Sequence, residues 1–82
     1  MIRIELLLFA QLKEAFAAER LSRGVREGTT VERVAAELLK EVPDPAIARL
    51  PLMFAVNEQY VAADYRLSDG DCLALITPFA GG

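Results

Sequence analysis

Period-two alternation near both ends of the chain, one strongly amphipathic helix between them, and turn residues where strands must reverse predict an α+β fold. Its architecture would be a mixed sheet covered on one face by one main helix. With 82 residues, 54% hydrophobic and 26% charged, the chain is too apolar to be disordered and is sized for one domain with a modest core.

The first element is a strand. In Ile2-Arg3-Ile4-Glu5-Leu6-Leu7-Leu8-Phe9, residues Ile2, Ile4, Leu6 and Leu8 share one face. The opposite face starts polar and ends apolar at Leu7 and Phe9, which predicts that something covers that end. Residues 10–18 are good helix formers, with Leu12, Ala15 and Phe16 spaced for one stripe. Leu21, Arg23 and Val25 alternate with Ser22, Gly24 and Arg26, a second strand antiparallel to the first because the connection is short.

Thr29-Thr30-Val31-Glu32 fits a capping box, and Val31, Val34, Ala35, Leu38, Leu39 and Val42 recur at helical spacing. Pro43 ends that helix, because it disfavours helical geometry in the preceding residue and supplies no backbone donor. Pro43, Pro45 and Pro51 mark a connecting segment. Leu52 to Val56 is a third strand closed by turn formers at Asn57-Glu58, and Tyr60-Val61 adds a short fourth. Leu67-Ser68-Asp69-Gly70-Asp71 makes a turn, with Gly70 supplying positive φ. In the last strand, Cys72 to Ile76, Leu73 and Leu75 face opposite Cys72, Ala74 and Ile76. The order of elements is that of a β-grasp, with residues 1–78 as the domain and 79–82 as a flexible tail.

Composition removes several kinds of chemistry. Histidine is absent and cysteine occurs once, so neither a zinc site of Cys and His ligands nor a Ser-His or Cys-His pair can be assembled from this chain. A net charge of -3 argues against nucleic acid as a partner, since phosphate-backbone binding needs surplus Lys and Arg. The longest apolar run at the front, residues 6–10, is far below the ~18 residues of a membrane span. With no signal-peptide pattern and a single thiol, the expected location is the cytoplasm.

Three polar features have simple structural readings. Cys72 lacks a neighbouring base and reads as a small hydrophobe. Asp69 and Asp71 read as turn chemistry rather than metal ligands. Glu32, Glu37, Lys40 and Glu41 read as the solvated face of the long helix.

The chemistry sits at the tail, where Gly81-Gly82 close the chain. Residues without β-carbons reach backbone angles denied to others, so such a tail can enter a narrow channel and present its carboxyl carbon to another protein. A small-residue terminus that merely frays is the competing reading.

Several segments taken together, in order, are similar to one family. Leu8-Phe9-Ala10-Gln11-Leu12-Lys13-Glu14 resembles its strand-to-helix junction, and Thr30-Val31-Glu32 its helix start. Ala55-Val56-Asn57 with Val61, and Leu67-Ser68-Asp69-Gly70-Asp71, resemble its turns, and Pro78-Phe79-Ala80-Gly81-Gly82 its tail. The family is the small subunit of molybdopterin synthase, a ubiquitin-like sulfur carrier, and the resemblance spans nearly the whole chain. Thr77-Pro78 stands where many relatives have a Pro-Pro pair. The thiamine-pathway sulfur carrier shares the fold and the double glycine but usually lacks the Phe-Ala-Gln junction. The same fold also suits a ubiquitin-like protein modifier, or a β-grasp binding module without terminal chemistry.

The resemblance implies that the chain is no enzyme by itself but the sulfur-donating subunit of a sulfurtransferase. Gly82 would be activated by an ATP-dependent adenylating enzyme, loaded by a persulfide sulfur donor as a thiocarboxylate, and delivered to the large subunit of the synthase. No cofactor is bound stably, ATP being used by the activating enzyme. Gly81 gives the tail its freedom. Leu7, Phe9, Ala74 and Ile76 lie on outward faces of neighbouring strands and form a candidate apolar docking patch, extended by Tyr60, Phe79 and Ala80. Leu7 and Ala74 fit packing beneath loops equally well.

Overall fold

A computed structural model describes residues 1–77; the expectations for Phe79, Ala80, Gly81, Gly82 and the 79–82 tail lie outside the described residues. Its elements are β1 (Ile2–Leu8), α1 (Ala10–Phe16), β2 (Arg20–Val25), α2 (Val31–Leu39), α3 (Pro45–Ala48), β3 (Met53–Val56), β4 (Gln59–Val61) and β5 (Cys72–Ile76). The sheet runs β2-β1-β5-β3-β4. β1 and β5 pair in parallel at its centre, and every other pairing is antiparallel.

Alternation in the central strands decides which face is covered. Ile4, Leu6, Leu73 and Leu75 are fully buried, and they meet Val31, Val34, Ala35 and Leu38 of α2 in one core with Leu12 and Leu67. Removing such side chains from water is worth roughly 1.5–3 kcal/mol each, which is what holds a nine-residue helix too short to persist alone. Thr30 caps α2 by accepting a hydrogen bond from the Arg33 amide. The N-cap is therefore Thr30, one residue beyond the predicted Thr29, and the expected capping box does not form. Thr29 instead donates its hydroxyl to the Arg26 carbonyl, and position N3 is Arg33, which cannot return the bond as a glutamate would. The next amides of α2 are satisfied from residues 63 and 65, Val31 donating to the Tyr65 carbonyl and Glu32 to that of Ala63.

The connection after α2 is more ordered than a proline-rich linker. Asp44 accepts from the Ala46 amide and Pro45 occupies the first helical position, so α3 forms between the prolines. α2 itself stops at Leu39, and Val42 reaches the core from the turn that follows. α1 also ends earlier than its composition predicts, at Phe16, where Ala17 adopts φ 52. Only Leu12 and Phe16 of its expected stripe pack inward, and Ala15 is exposed.

Candidate functional site

The uncovered face of the sheet is where the sequence-predicted docking residues meet. Register places Arg20, Leu7, Ala74, Ala55 and Tyr60 in one row across all five strands, each paired with the next. Ile76 is paired with Met53, and Phe9 follows the end of β1. Leu7, Phe9, Tyr60, Ala74 and Ile76 thus line one shallow concavity of about 670 Å³, together with Cys72. Leu7, Ala74 and Ile76 are half-buried, whereas Phe9 is 41% and Tyr60 70% exposed. Such rings in water are costly unless a partner covers them.

The polar rim is partly neutralised. Arg20 meets Glu5 at 3.0 Å beside Leu7, an exposed pair of small energetic weight. On the far side of the sheet, Arg23 holds Glu41 through two bonds of 2.9 Å, tying β2 to the end of α2.

The rim next to Cys72 is built by an amide-carboxylate clip that the sequence did not reveal. Asn57, at φ 51 in the two-residue turn between β3 and β4, donates from Nδ2 to Asp71 Oδ1 at 3.0 Å and accepts the Cys72 amide on Oδ1 at 3.0 Å. Asp71, buried, also accepts the Ser68 amide at 2.8 Å, while Asp69 accepts the Arg3 amide at 2.8 Å. Both aspartates are thus engaged in closing turns. Gly70, at φ 85, brings its amide to the Arg3 carbonyl at 2.8 Å. The Asx-type pattern Asp69-Gly70-Asp71 gave the turn, but the partner Asn57, 14 residues earlier, carries no local signal.

β5 places Ala74 and Ile76 on this face, and at its end Thr77 is 1% exposed. Its hydroxyl donates to Gln11 Oε1 at 3.2 Å, fastening the exit of the strand to α1. Sequence reasoning placed Gln11 in the Phe-Ala-Gln junction and assigned it no role. The junction bends sharply: Ala10 has φ 49, a left-handed conformation that an L-residue adopts at a cost of about 1–2 kcal/mol.

Among the described residues, no cluster of three or more metal-ligating side chains is present, and no helix is long and apolar enough to cross a membrane. The face offers shape and apolar contact, and the described residues around it supply no acid-base pair.

Comparison with known proteins sets this face in a family. A model described as the ThiS family matches residues 6–82. The chain belongs to the ThiS family. Within it, the chain is 30% identical over 81 residues to a protein of Arabidopsis thaliana named molybdopterin synthase sulfur carrier subunit, covering 99% of this chain and 84% of that one. Among the solved structures that share the fold are two of similar small proteins. One is a putative molybdopterin converting factor, subunit 1, from Pyrococcus furiosus, with TM-score 0.81 and 20% identity over 95% of this chain and 99% of that chain. The other is the small archaeal modifier protein 1 of H. volcanii, with TM-score 0.78 and 23% identity over 95% of this chain and 99% of that chain. The ThiS-family fold is the ubiquitin-like β-grasp expected from the order of elements.

Proposed function

We propose that this chain is the sulfur carrier subunit of a molybdopterin synthase and that Gly82 bears the transferred sulfur. One observation supports it above the others: β5, which carries Ala74 and Ile76 onto the open apolar face, is followed by only six residues, the last two being Gly81-Gly82. A partner that covers the face therefore meets the chain where it leaves β5 at Thr77. The resemblance to the Arabidopsis thaliana protein across almost the whole chain supports the same reading.

The chemistry follows from what a carboxylate can do. As an anion it resists attack by a sulfur nucleophile. An adenylating enzyme joins the Gly82 carboxylate to the α-phosphate of ATP and releases pyrophosphate, leaving an acyl-adenylate with an electrophilic carbonyl. The terminal sulfur of a persulfide attacks that carbonyl and expels AMP. A second thiol cleaves the resulting acyl disulfide, leaving the thiocarboxylate and a disulfide on the donor side. The thiocarboxylate sulfur is the nucleophile presented to a cyclic pyranopterin monophosphate in the large subunit, and hydrolysis of the acyl bond returns Gly82 as a carboxylate. Two carriers in succession supply the two dithiolene sulfurs.

The large subunit provides the groups that move protons and hold phosphate, since this chain has no histidine. Docking of the folded body makes the encounter of tail and pterin effectively intramolecular, a gain of several orders of magnitude in effective concentration. Phe9, Leu7, Tyr60, Ala74 and Ile76 supply the grip, and Phe79 and Ala80 continue it along the tail.

Intact-mass measurement after incubation with an adenylating enzyme, ATP and a persulfide donor tests the loading step. The expected product has one oxygen replaced by sulfur at Gly82. An unchanged mass contradicts the proposal, and Gly82 found in isopeptide linkage to many cellular proteins would favour a ubiquitin-like modifier.

A further inference from the structure

We infer that Thr77 and Gln11 form a latch that sets where the sulfur-bearing terminus leaves the body, and that both are positioning residues for sulfur transfer. The inference rests on the sulfur-carrier reading and adds to it a requirement about geometry.

Thr77 is the last described residue and, apart from Asp71, the only polar residue among the buried side chains of the described chain. A threonine in a core position gives up hydration of its hydroxyl, which is tolerated when the group finds a partner. Here the partner is Gln11 Oε1 at 3.2 Å, 66 residues away in sequence. Valine would fill the same space without that demand, so the hydroxyl is not needed to fill the core. Its effect is directional, pinning the end of β5 to the first turn of α1.

The other side of the latch is held with equal care. Gln11 follows Ala10, whose φ of 49 turns the chain out of β1, and Phe9 accepts the Leu12 amide at 3.1 Å to start the helix. One sharp bend thus places Phe9 on the docking concavity and Gln11 against the exit of β5. Ile76, adjacent to Thr77, lies in the same concavity. Docking surface and exit point are therefore mechanically joined through residues 9–11 and 76–77.

Covalent geometry turns this joint into a ruler. Five residues follow Thr77, and an extended chain spans at most about 3.3–3.6 Å per residue, so the terminal carboxyl reaches no farther than about 18 Å from Thr77. A partner's acceptor site must lie within that radius when the face is covered. Releasing the latch leaves the length unchanged but lets the origin wander, which lowers the fraction of docked complexes aligned for attack.

The test is a double-mutant cycle with Thr77→Val, Gln11→Leu and the pair, each loaded as thiocarboxylate. Binding to the large subunit is measured by calorimetry, and sulfur transfer by single-turnover rate at saturating large subunit. Each single variant is expected to bind within about twofold of the wild type and to transfer about five- to tenfold more slowly, the scale of one hydrogen bond. The pair should be no slower than either alone, and Thr77→Ser should restore the rate. Wild-type transfer rates in both single variants, or losses that vanish at saturation, would overturn the latch. Failure of the loaded wild type to transfer sulfur would instead overturn the carrier reading on which it rests.

Discussion

Replacing Asn57 by glycine removes two hydrogen bonds while keeping a residue suited to the backbone the turn requires. Asn57 and Glu58 both have positive φ, at 51 and 72, and the strands pair directly on either side of them. Two-residue turns of this kind favour Asn-Gly, and glycine is acceptable at either position. Turn propensity alone thus predicts little harm from Asn57→Gly. The structure predicts otherwise. The side chain accepts the Cys72 amide and donates to the buried Asp71 carboxylate, both at 3.0 Å.

A hydrogen bond contributes about 0.5–1.5 kcal/mol, and one to a charged group about 1.5–3 kcal/mol. Their loss sums to about 3 kcal/mol, or a fall in Tm of roughly 12–24 °C for a domain of this size. Glu58→Gly should move the other way, because relief of a left-handed L-residue, about 1–2 kcal/mol, exceeds the extra backbone entropy of glycine, about 0.5–1 kcal/mol. Urea unfolding followed by circular dichroism measures both, with unchanged m reporting an unchanged native state. An Asn57→Gly variant within about 0.5 kcal/mol of wild type, the margin for a featureless surface change, would refute the clip.

Ala17, at φ 52 beyond the end of α1, is a second site where glycine should stabilise, by about 0.5–1 kcal/mol in the same assay. Ile76→Asp should leave the cooperative unfolding transition in place and weaken binding to the large subunit by at least about 30-fold, read by calorimetry, since it puts a charge on the apolar face. Glu19 should titrate below the ordinary glutamate range, because the Lys13 ammonium hydrogen-bonds it at 2.7 Å and attracts its charge. A depressed folded-state pKa means that this contribution is present above the unfolded-state value and lost as pH falls through the folded one. NMR titration of Lys13→Gln should return Glu19 toward the usual range, and an identical titration curve would contradict the pairing.

The legible parts of the fold were those that repeat. Ile4 and Leu6 in β1, and Leu73 and Leu75 in β5, alternate with the face that stays open, while Val31, Val34, Ala35 and Leu38 recur at helical spacing, so covered and uncovered sides could be told apart. From there, Leu7, Phe9, Ala74 and Ile76 could be assigned to one face, and Tyr60 joins them because β4 pairs with β3 rather than lying elsewhere. What stayed hidden depends on distant partners. Nothing near Asn57 announces Asp71, and nothing near Thr77 announces Gln11. Leu67 sits among turn residues and yet is 1% exposed, because residues 63–67 cross back over the start of α2. The left-handed alanines at 10 and 17 go against intrinsic preference, so residue type did not mark them. Asp44-Pro45 did hold a local helix-start signal, masked by the prolines on either side.

The central claim is that a terminal glycine, addressed by the open face of the sheet, hands over its sulfur. Its most direct measurement is dithiolene formation from the cyclic pyranopterin precursor by the large subunit, supplied with thiocarboxylated chain as the only sulfur source. The account predicts two loaded carriers consumed per product and none formed when one alanine is added after Gly82. Product appearing at an undiminished rate from the extended chain would contradict it.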